Sequence, residues 1–235
     1  MSGITTLMNI ASGALQANQI AMEVVGHNIA NVNTPGYSRQ QVIQRAALAG
    51  FSGAGFSGKG VEVVNIQRVA SDFLTQQAHI ATANAASSNT ALEYLNRIAD
   101  SLTSDDTSLS SSVDGFFSAL QDLSATPSGA TERQSVVAAA QSLVNRFTAL
   151  DSELTTMSSE IGKRLQTAAS QINSYSSQIS KLNDQIALQS GSGLTPNDLL
   201  DQRDQLIRSL SELTSVSLVS QPDGRVNVFL PSGDA

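Results

Sequence analysis

The feature that most constrains this chain is an apolar stripe close to its N-terminus. Its members recur at alternating steps of four and three residues, which places them along one face of a helix. This set, called here the N-terminal stripe, consists of Ile4, Met8, Ala11, Leu15, Asn18, Met22, Val25 and Ile29. Such a narrow seam is typical of a helix that packs against another helix, and a polar Asn18 within it would fix the register. We therefore predict a long N-terminal helix whose stripe is an assembly interface.

A turn should end this helix soon after Ile29. The residue before Pro35 is driven out of the helical region, Gly36 accepts a positive φ angle, and asparagine tolerates left-handed backbone. The members of this predicted signature turn are Asn31, Asn33, Pro35, Gly36, Tyr37 and Arg39.

Helical spacing dominates the middle of the chain. The four-and-three pattern returns over residues 71–102, a shorter helix follows, and the longest stripe extends from Leu143 to Ile186. A last helix should begin near Asn197. There we expect Asp198 to cap the helix, and Arg203 and Asp204 to make structural ion pairs.

Two β segments flank these helices. The sequence predicts a small two-stranded ribbon near residues 40–68, with a mobile tip. An extended segment, a glycine-dense loop and a segment of alternating apolar and polar residues follow one another there. Two short apolar segments around Pro222-Asp223-Gly224 predict a hairpin. Because an isolated hairpin is rarely stable, we expect residues 215–235 to be the start of a larger β domain that the chain does not complete.

Composition favours a mainly α fold. Aromatic residues make up 4% of the chain and tryptophan is missing, while small and polar residues are abundant. We predict long heptad-patterned helices in an elongated bundle, with the small β-ribbon and the β segment described. The predicted domains are the N-terminal coiled-coil helix at 1–35, the turn and glycine-rich ribbon at 36–70, the helical bundle at 71–213 and the beginning of a β-rich domain at 214–235.

Charge and residue usage argue against several classes of function. Thirteen basic residues are scattered singly among twenty acidic ones, for a net charge of −7, so no basic surface predicts nucleic-acid binding. We expect no membrane span, because no apolar run of about 18 residues occurs. We expect no cleaved secretory signal, because the N-terminus lacks Lys or Arg followed by an apolar block. Cysteine is absent as well, which excludes disulfides and thiolate sites.

The candidate chemical motifs predict neither an enzyme nor a cofactor. Residues 53–60 resemble a phosphate-binding loop, but a glycine replaces the required hydroxyl and a strand follows where a helix is needed, so we interpret them as a surface loop. His27 and His79 lie in separate helices without metal-ligand spacing. Asp105 and Asp106 lie in a polar linker. The chain is therefore predicted to be a structural protein.

Three segments resemble one family. Residues 17–40, which include the signature turn, are similar to the N-terminal signature of bacterial flagellar axial proteins, namely the rod, hook and hook-associated proteins. Residues 58–74 resemble a second block of that group. Residues 197–206 resemble a third block, which separates the hook–filament junction family from rod and hook proteins. The alternatives are another axial protein of the hook or rod, and a cytoplasmic coiled-coil scaffold, which would not explain the signature turn.

This resemblance implies a structural component of the bacterial flagellum that forms the junction layer between hook and filament by helical self-assembly. The implied partners are further copies of the chain, the hook protein on one side, the next hook-associated protein on the other, and an export chaperone that binds a C-terminal segment. It also implies an extracellular protein exported without a cleaved signal peptide. In this family the N-terminal helix pairs with a C-terminal helix. Since no such partner is present here, we expect residues 1–35 to be disordered in the free chain.

Overall fold

The computed structural model describes residues 2–52, 55–103, 108–191 and 195–231. Parts of three sequence predictions therefore lie outside the described residues. These are the first two residues of the glycine-rich motif, the acidic pair of the polar linker and the last four residues of the expected β domain, namely residues 53–54, 105–106 and 232–235.

Five helices and three two-stranded sheets make up the regular structure of the described ranges. The helices are α1 Ser2–Ala30, α2 Asp72–Thr103, α3 Leu109–Ala125, α4 Ala130–Ser190 and α5 Asn197–Ser211. The strands are β1 Gln40–Ala46, β2 Gly50–Ser52, β3 Gly55–Ser57, β4 Val61–Arg68, β5 Ser217–Ser220 and β6 Val226–Phe229. The predicted mainly α fold with small β additions is confirmed.

The chain divides into two compact units. The first combines Met1–Asn84 with Ile172–Ala235, and the second is Ala85–Gln171. Both boundaries lie within long helices, α2 and α4. All three segments that carry the family resemblance belong to the first unit.

Helix α1 packs on the ribbon through a face that the N-terminal stripe does not occupy. Ala17 and Val24 are its buried apolar residues. At Gly13 the helix approaches so closely that an added Cβ would lie 3.4 Å from the carbonyl oxygen of Val61. The structure therefore differs from the expected disorder of residues 1–35, because the ribbon supplies α1 with an intramolecular partner. The large apolar residues of the stripe remain 55–73% exposed.

The ribbon covers the residues that the sequence predicts, from Gln40 to Arg68. Strands β1 and β4 pair antiparallel with a register shift between Ile43 and Gln44. Farther along the ribbon, β2 and β3 form a separate antiparallel pair, in which Phe51 lies opposite Phe56. The interpretation of residues 53–60 as a loop is therefore wrong for 55–57, which form β3, whereas 58–60 belong to no strand, in agreement with the prediction.

A core in the first unit forms where α4, α5 and the β5–β6 hairpin meet. Its buried members are Ile179, Ile207, Leu210 and Val216. The α4 residue belongs to the long stripe that the sequence identifies, and the hairpin pairs as predicted, from Ser217 opposite Phe229 to Ser220 opposite Val226. In α2, by contrast, the predicted apolar positions Leu92 and Leu95 are exposed, and the buried residues are His79 and Ala83.

Replacing Leu210 by alanine should destabilise this core. The side chain is fully buried, so its loss removes buried methyl groups and leaves a cavity that costs about 2–5 kcal/mol of unfolding free energy. Urea denaturation followed by circular dichroism measures the change. The matched control is Leu213→Ala three residues away, because Leu213 is 36% exposed and should cost much less. Equal losses for the two variants would contradict this placement of the core.

Candidate functional site at the signature turn

The end of α1 is bound to the start of β1 by one asparagine. The side-chain nitrogen of Asn28 donates to the carbonyl of Gln40 at 2.9 Å, and the amide of Gln40 donates to Asn28 Oδ1 at 2.8 Å. The same oxygen accepts the Tyr37 hydroxyl at 2.7 Å. Asn28 thus acts like a paired strand residue, and it fixes the distance between the helix end and the ribbon.

The signature turn closes through local hydrogen bonds. The side chain of Asn31 donates to the carbonyl of His27 at 3.0 Å and accepts the Thr34 hydroxyl at 3.2 Å. His27 in turn lies 3.0 Å from the Tyr37 hydroxyl through Nδ1, with the two rings edge to face. Gly36 adopts φ +81°, as predicted. His27 is therefore part of a hydrogen-bonded turn.

Helix α5 holds the turn and the ribbon through a carboxylate. Asp201 accepts the backbone amide of Ser38 at 3.0 Å through Oδ2 and Arg68 Nη1 at 2.7 Å through Oδ1. The same guanidinium nitrogen donates to Asp204 Oδ2 at 2.7 Å. The side chains of Arg68 and Asp201 are only 11% and 10% exposed. A single carboxylate therefore joins three segments that are far apart in sequence.

The contact of the signature turn, β4 and α5 around Asp201 is called here the polar joint. Burial and charge shift two pKa values at this joint. Burial disfavours the charged form of Arg68, but hydrogen bonds and charge from Asp201 and Asp204 outweigh it and raise the pKa of Arg68. For Tyr37, burial raises the pKa of the phenol, and the negative charges of Asp201 and Asp198 raise it further. Both groups thus keep the protonation states that their hydrogen bonds require.

Two amides add a second connection between β4 and α5. Asn197 donates to the carbonyl of Ile66 at 2.9 Å, and Asn65 donates to the Thr195 hydroxyl at 2.7 Å. Asn197 is buried, so its bond is shielded from water. Together with the carboxylate bridge, these bonds fix the ribbon along the first turns of α5.

Two predictions for α5 are wrong. Asp198 lies in the first turn, but the helix starts after Pro196 without a side-chain cap. Arg203 forms no salt bridge within the described ranges; its buried guanidinium donates to Asn183 Oδ1 at 3.0 Å and to the carbonyl of Gly224 at 2.7 Å. Burial lowers the pKa of Arg203. The predicted ion pair of Asp204 is confirmed, with Arg68 as its partner.

The structure brings together only part of the predicted signature set. Asn31, Gly36 and Tyr37 take part in the turn, whereas the side chains of Asn33, Pro35 and Arg39 are exposed. Arg39 contributes its carbonyl, which accepts the amide of Val69 at 2.7 Å. Sequence reasoning gave no role to Asn28, Gln40 or Asn197, although all three lie inside segments that carry the resemblance.

The hydrogen bonds of this site hold the turn, the ribbon and α5 together. Among the described residues, no group of three or more His, Asp or Glu side chains is placed to hold a metal ion. None of the helices in these ranges combines the length and apolar character that a membrane span requires.

Substituting Gly36 tests the turn. An added Cβ would lie 2.9 Å from the side-chain oxygen of Gln205, and φ +81° is unfavourable for alanine. We expect Gly36→Ala to lower the free energy of unfolding by about 1–3 kcal/mol in urea denaturation. The control is Gly26→Ala, since that glycine is helical with open space around it and alanine should stabilise it by roughly 0.5–1 kcal/mol. A Gly36→Ala variant that loses no stability would contradict the strained turn.

Two family profiles match the chain, one on each side of the polar joint. The family profile described as "Flagella basal body rod protein" matches residues 8–37, which span most of α1 and the signature turn. The profile described as "Flagellar hook-associated protein FlgK helical domain" matches residues 95–235, which include α5 and the hairpin.

Individual flagellar proteins are also similar to this chain over most of its length. Flagellar hook-associated protein 1 of Salmonella typhimurium is 35% identical over 98% of the chain, and that of Bacillus subtilis is 32% identical over 92%. The solved structure of the flagellar hook junction protein FlgK from Burkholderia pseudomallei is 30% identical, with a TM-score of 0.58, over 66% of this chain and 27% of that one. The chain is thus a structural protein of the bacterial flagellum. Within that class it belongs to the FlgK family of flagellar hook-associated proteins. It spans 42% of the Salmonella relative and 44% of the Bacillus relative.

Proposed function

We propose that this chain helps to build the junction layer between hook and filament, and that copies assemble helically through the N-terminal stripe of α1. The observation that carries the proposal is the exposure of that stripe on a helix whose opposite side is already packed. The rod-protein profile matches only residues 8–37, whereas the match to hook-associated proteins covers the helical part, so a junction role is favoured over a rod role.

Burial of the stripe supplies the driving force for assembly. Its six large apolar residues stay exposed in the single chain, and full burial of such a side chain contributes about 1.5–3 kcal/mol. Part of that gain offsets the freedom lost on association. The net effect favours a polymer in which the stripe of each copy is covered.

The polar joint gives this assembly its geometry. A subunit interface works only if α1 is held in a defined direction relative to the rest of its unit. Asn28 fixes the helix end to β1, and Asp201 fixes the following turn and β4 to α5. In the proposed function these residues are therefore positioning residues, which present the stripe to a neighbouring copy.

The partners and location follow from this role. We propose contacts with the hook protein on one side and with the next hook-associated protein on the other, in an extracellular position reached by export without a cleaved signal peptide. An export chaperone would bind a C-terminal segment. The names of the relatives support a place at the hook, and one solved relative is titled a hook junction protein.

The test is to place a charge on the stripe and to count the incorporated copies. The full chain carrying such a substitution is expressed in a strain whose own copy is deleted, and isolated flagella are quantified by immunoblot. Loss of incorporation with retained folding is the expected result. Normal incorporation would contradict assembly through the stripe.

A further inference from the structure

The end of the ribbon presents two aromatic side chains to solvent. The sequence Gly-Phe-Ser occurs at 50–52 and again at 55–57, and pairing of β2 with β3 places Phe51 directly opposite Phe56. Their ring centroids are 5.7 Å apart with the planes at 71°. The two residues are 74% and 80% exposed. In a chain with few aromatics, an exposed pair of this kind marks an interaction surface.

The tip lies level with the first turns of α1. Helix α1 and the ribbon lie side by side between two contacts. At the first, Ile10 lies against Gly60. At the second, Asn28 is hydrogen-bonded to Gln40, which lies opposite Arg68 in the ribbon. The eighteen helical residues between these points span about 27 Å. The eight strand residues span about 26 Å. The tip of the ribbon therefore lies beside the start of the N-terminal stripe.

The ribbon is positively charged in an otherwise acidic chain. Residues 39–68 contain four basic residues and one acidic residue, whereas residues 72–235 contain nine basic and eighteen acidic ones. At the tip, the side chain of Lys59 lies across Gly50. No carboxylate among the described residues pairs with this lysine, whereas Arg45 is paired with Glu62 at 2.6 Å. The tip thus combines two exposed aromatic rings with an unpaired cation.

Helix α3 has the complementary surface. It contains Asp114 and Asp122 and no basic residue. No salt bridge joins either carboxylate to another described residue. Phe117, one helical turn after Asp114, is 63% exposed. An acidic helix with an exposed aromatic ring suits an aromatic tip that carries a lysine.

We propose that the aromatic tip, formed by Phe51, Phe56 and Lys59, docks on helix α3 of a second copy of this chain. The inference rests on the proposed self-assembly and adds a second contact to it. The stripe supplies apolar burial near the start of α1, and the tip at the same end supplies a charge-complementary contact that selects one register between neighbouring copies.

Photo-crosslinking tests the contact directly. Phe56 is replaced by benzoylphenylalanine in the full chain, and flagella are assembled from a mixture of isotopically light and heavy copies. Mass spectrometry then separates crosslinks between copies from those within one copy. Crosslinks from the tip of one copy to residues 109–125 of another are expected. Crosslinks that stay within one copy, or that reach other regions or other proteins, would overturn the proposal.

Substitutions give a second, independent measurement. We expect Phe51→Ser combined with Phe56→Ser to reduce incorporation about tenfold, since paired aromatic anchors dominate such contacts. The control is Leu188→Ser on α4, which removes an equally exposed apolar side chain. Lys59→Glu should also reduce incorporation, and Asp114→Lys should restore it in the double variant. Failure of this rescue would contradict the docking on α3.

These experiments distinguish a failure of the proposed docking of the tip from a failure of the proposed assembly through the stripe. If a charge on the stripe leaves incorporation normal, assembly through α1 is wrong. If that charge blocks incorporation while the double phenylalanine variant incorporates as well as Leu188→Ser, only the docking of the tip is wrong.

Discussion

Replacing Asp201 by alanine is expected to lower the free energy of unfolding of the first unit by roughly 3 kcal/mol. The substitution removes one of the two carboxylates that compensate the buried charge of Arg68, and it leaves the amide of Ser38 without its acceptor. Urea denaturation measures the loss of stability. Amide hydrogen exchange gives a local measurement, because the Ser38 amide should exchange much faster in the variant.

The matched control is Asp204→Ala. Asp204 accepts a bond from the same nitrogen of Arg68 at the same distance of 2.7 Å, but its side chain is 32% exposed and it does not contact Ser38. Solvent screens this pair more strongly, so about 1 kcal/mol is expected. If the two variants lose equal stability, or if Ser38 exchange is unchanged in Asp201→Ala, then Asp201 does not hold the signature turn on α5.

Periodicity predicted the helices well because a regular face is a local property of the sequence. The stripe of α4 places Ile179 and Ile186 in the interior, as the spacing indicates. The same reasoning failed to identify the packed face of α1. That face carries Ala17 and Val24, which are small and unremarkable in a hydropathy pattern, and its partner is a ribbon whose approach depends on glycine.

The joint was only partly predictable, because its bonds connect distant segments. Helical spacing does place Asp201 and Asp204 near one face of α5. Nothing local shows that this face meets Ser38, which lies 163 residues away in sequence. Arg203 is a clearer failure: the sequence predicted an ion pair for it, but its guanidinium donates to a side-chain amide oxygen of α4 and to a backbone carbonyl of the hairpin turn, and neither acceptor can be found from local sequence.

Aspartate at Leu15 or at Met22 is expected to abolish incorporation of the chain into flagella. Both side chains lie on the stripe and are 65% and 67% exposed, so the substitution leaves the packed face of α1 intact. In the assembled state the carboxylate would be removed from water without a cation to pair with, which costs several kcal/mol. Incorporation measured by immunoblot of isolated flagella should fall by more than about a hundredfold.

The control introduces the same charge on the same helix without touching the stripe. Gln16 is exposed and lies about 100° around α1 from Leu15, away from both the stripe and the ribbon. Gln16→Asp should incorporate normally, and all three variants should show unchanged circular dichroism as isolated chains. An equal defect in Gln16→Asp would mean that charge anywhere on α1 blocks assembly or export. Normal incorporation of both stripe variants would mean that copies assemble through another surface, because a buried interface cannot accept an unpaired carboxylate at its centre.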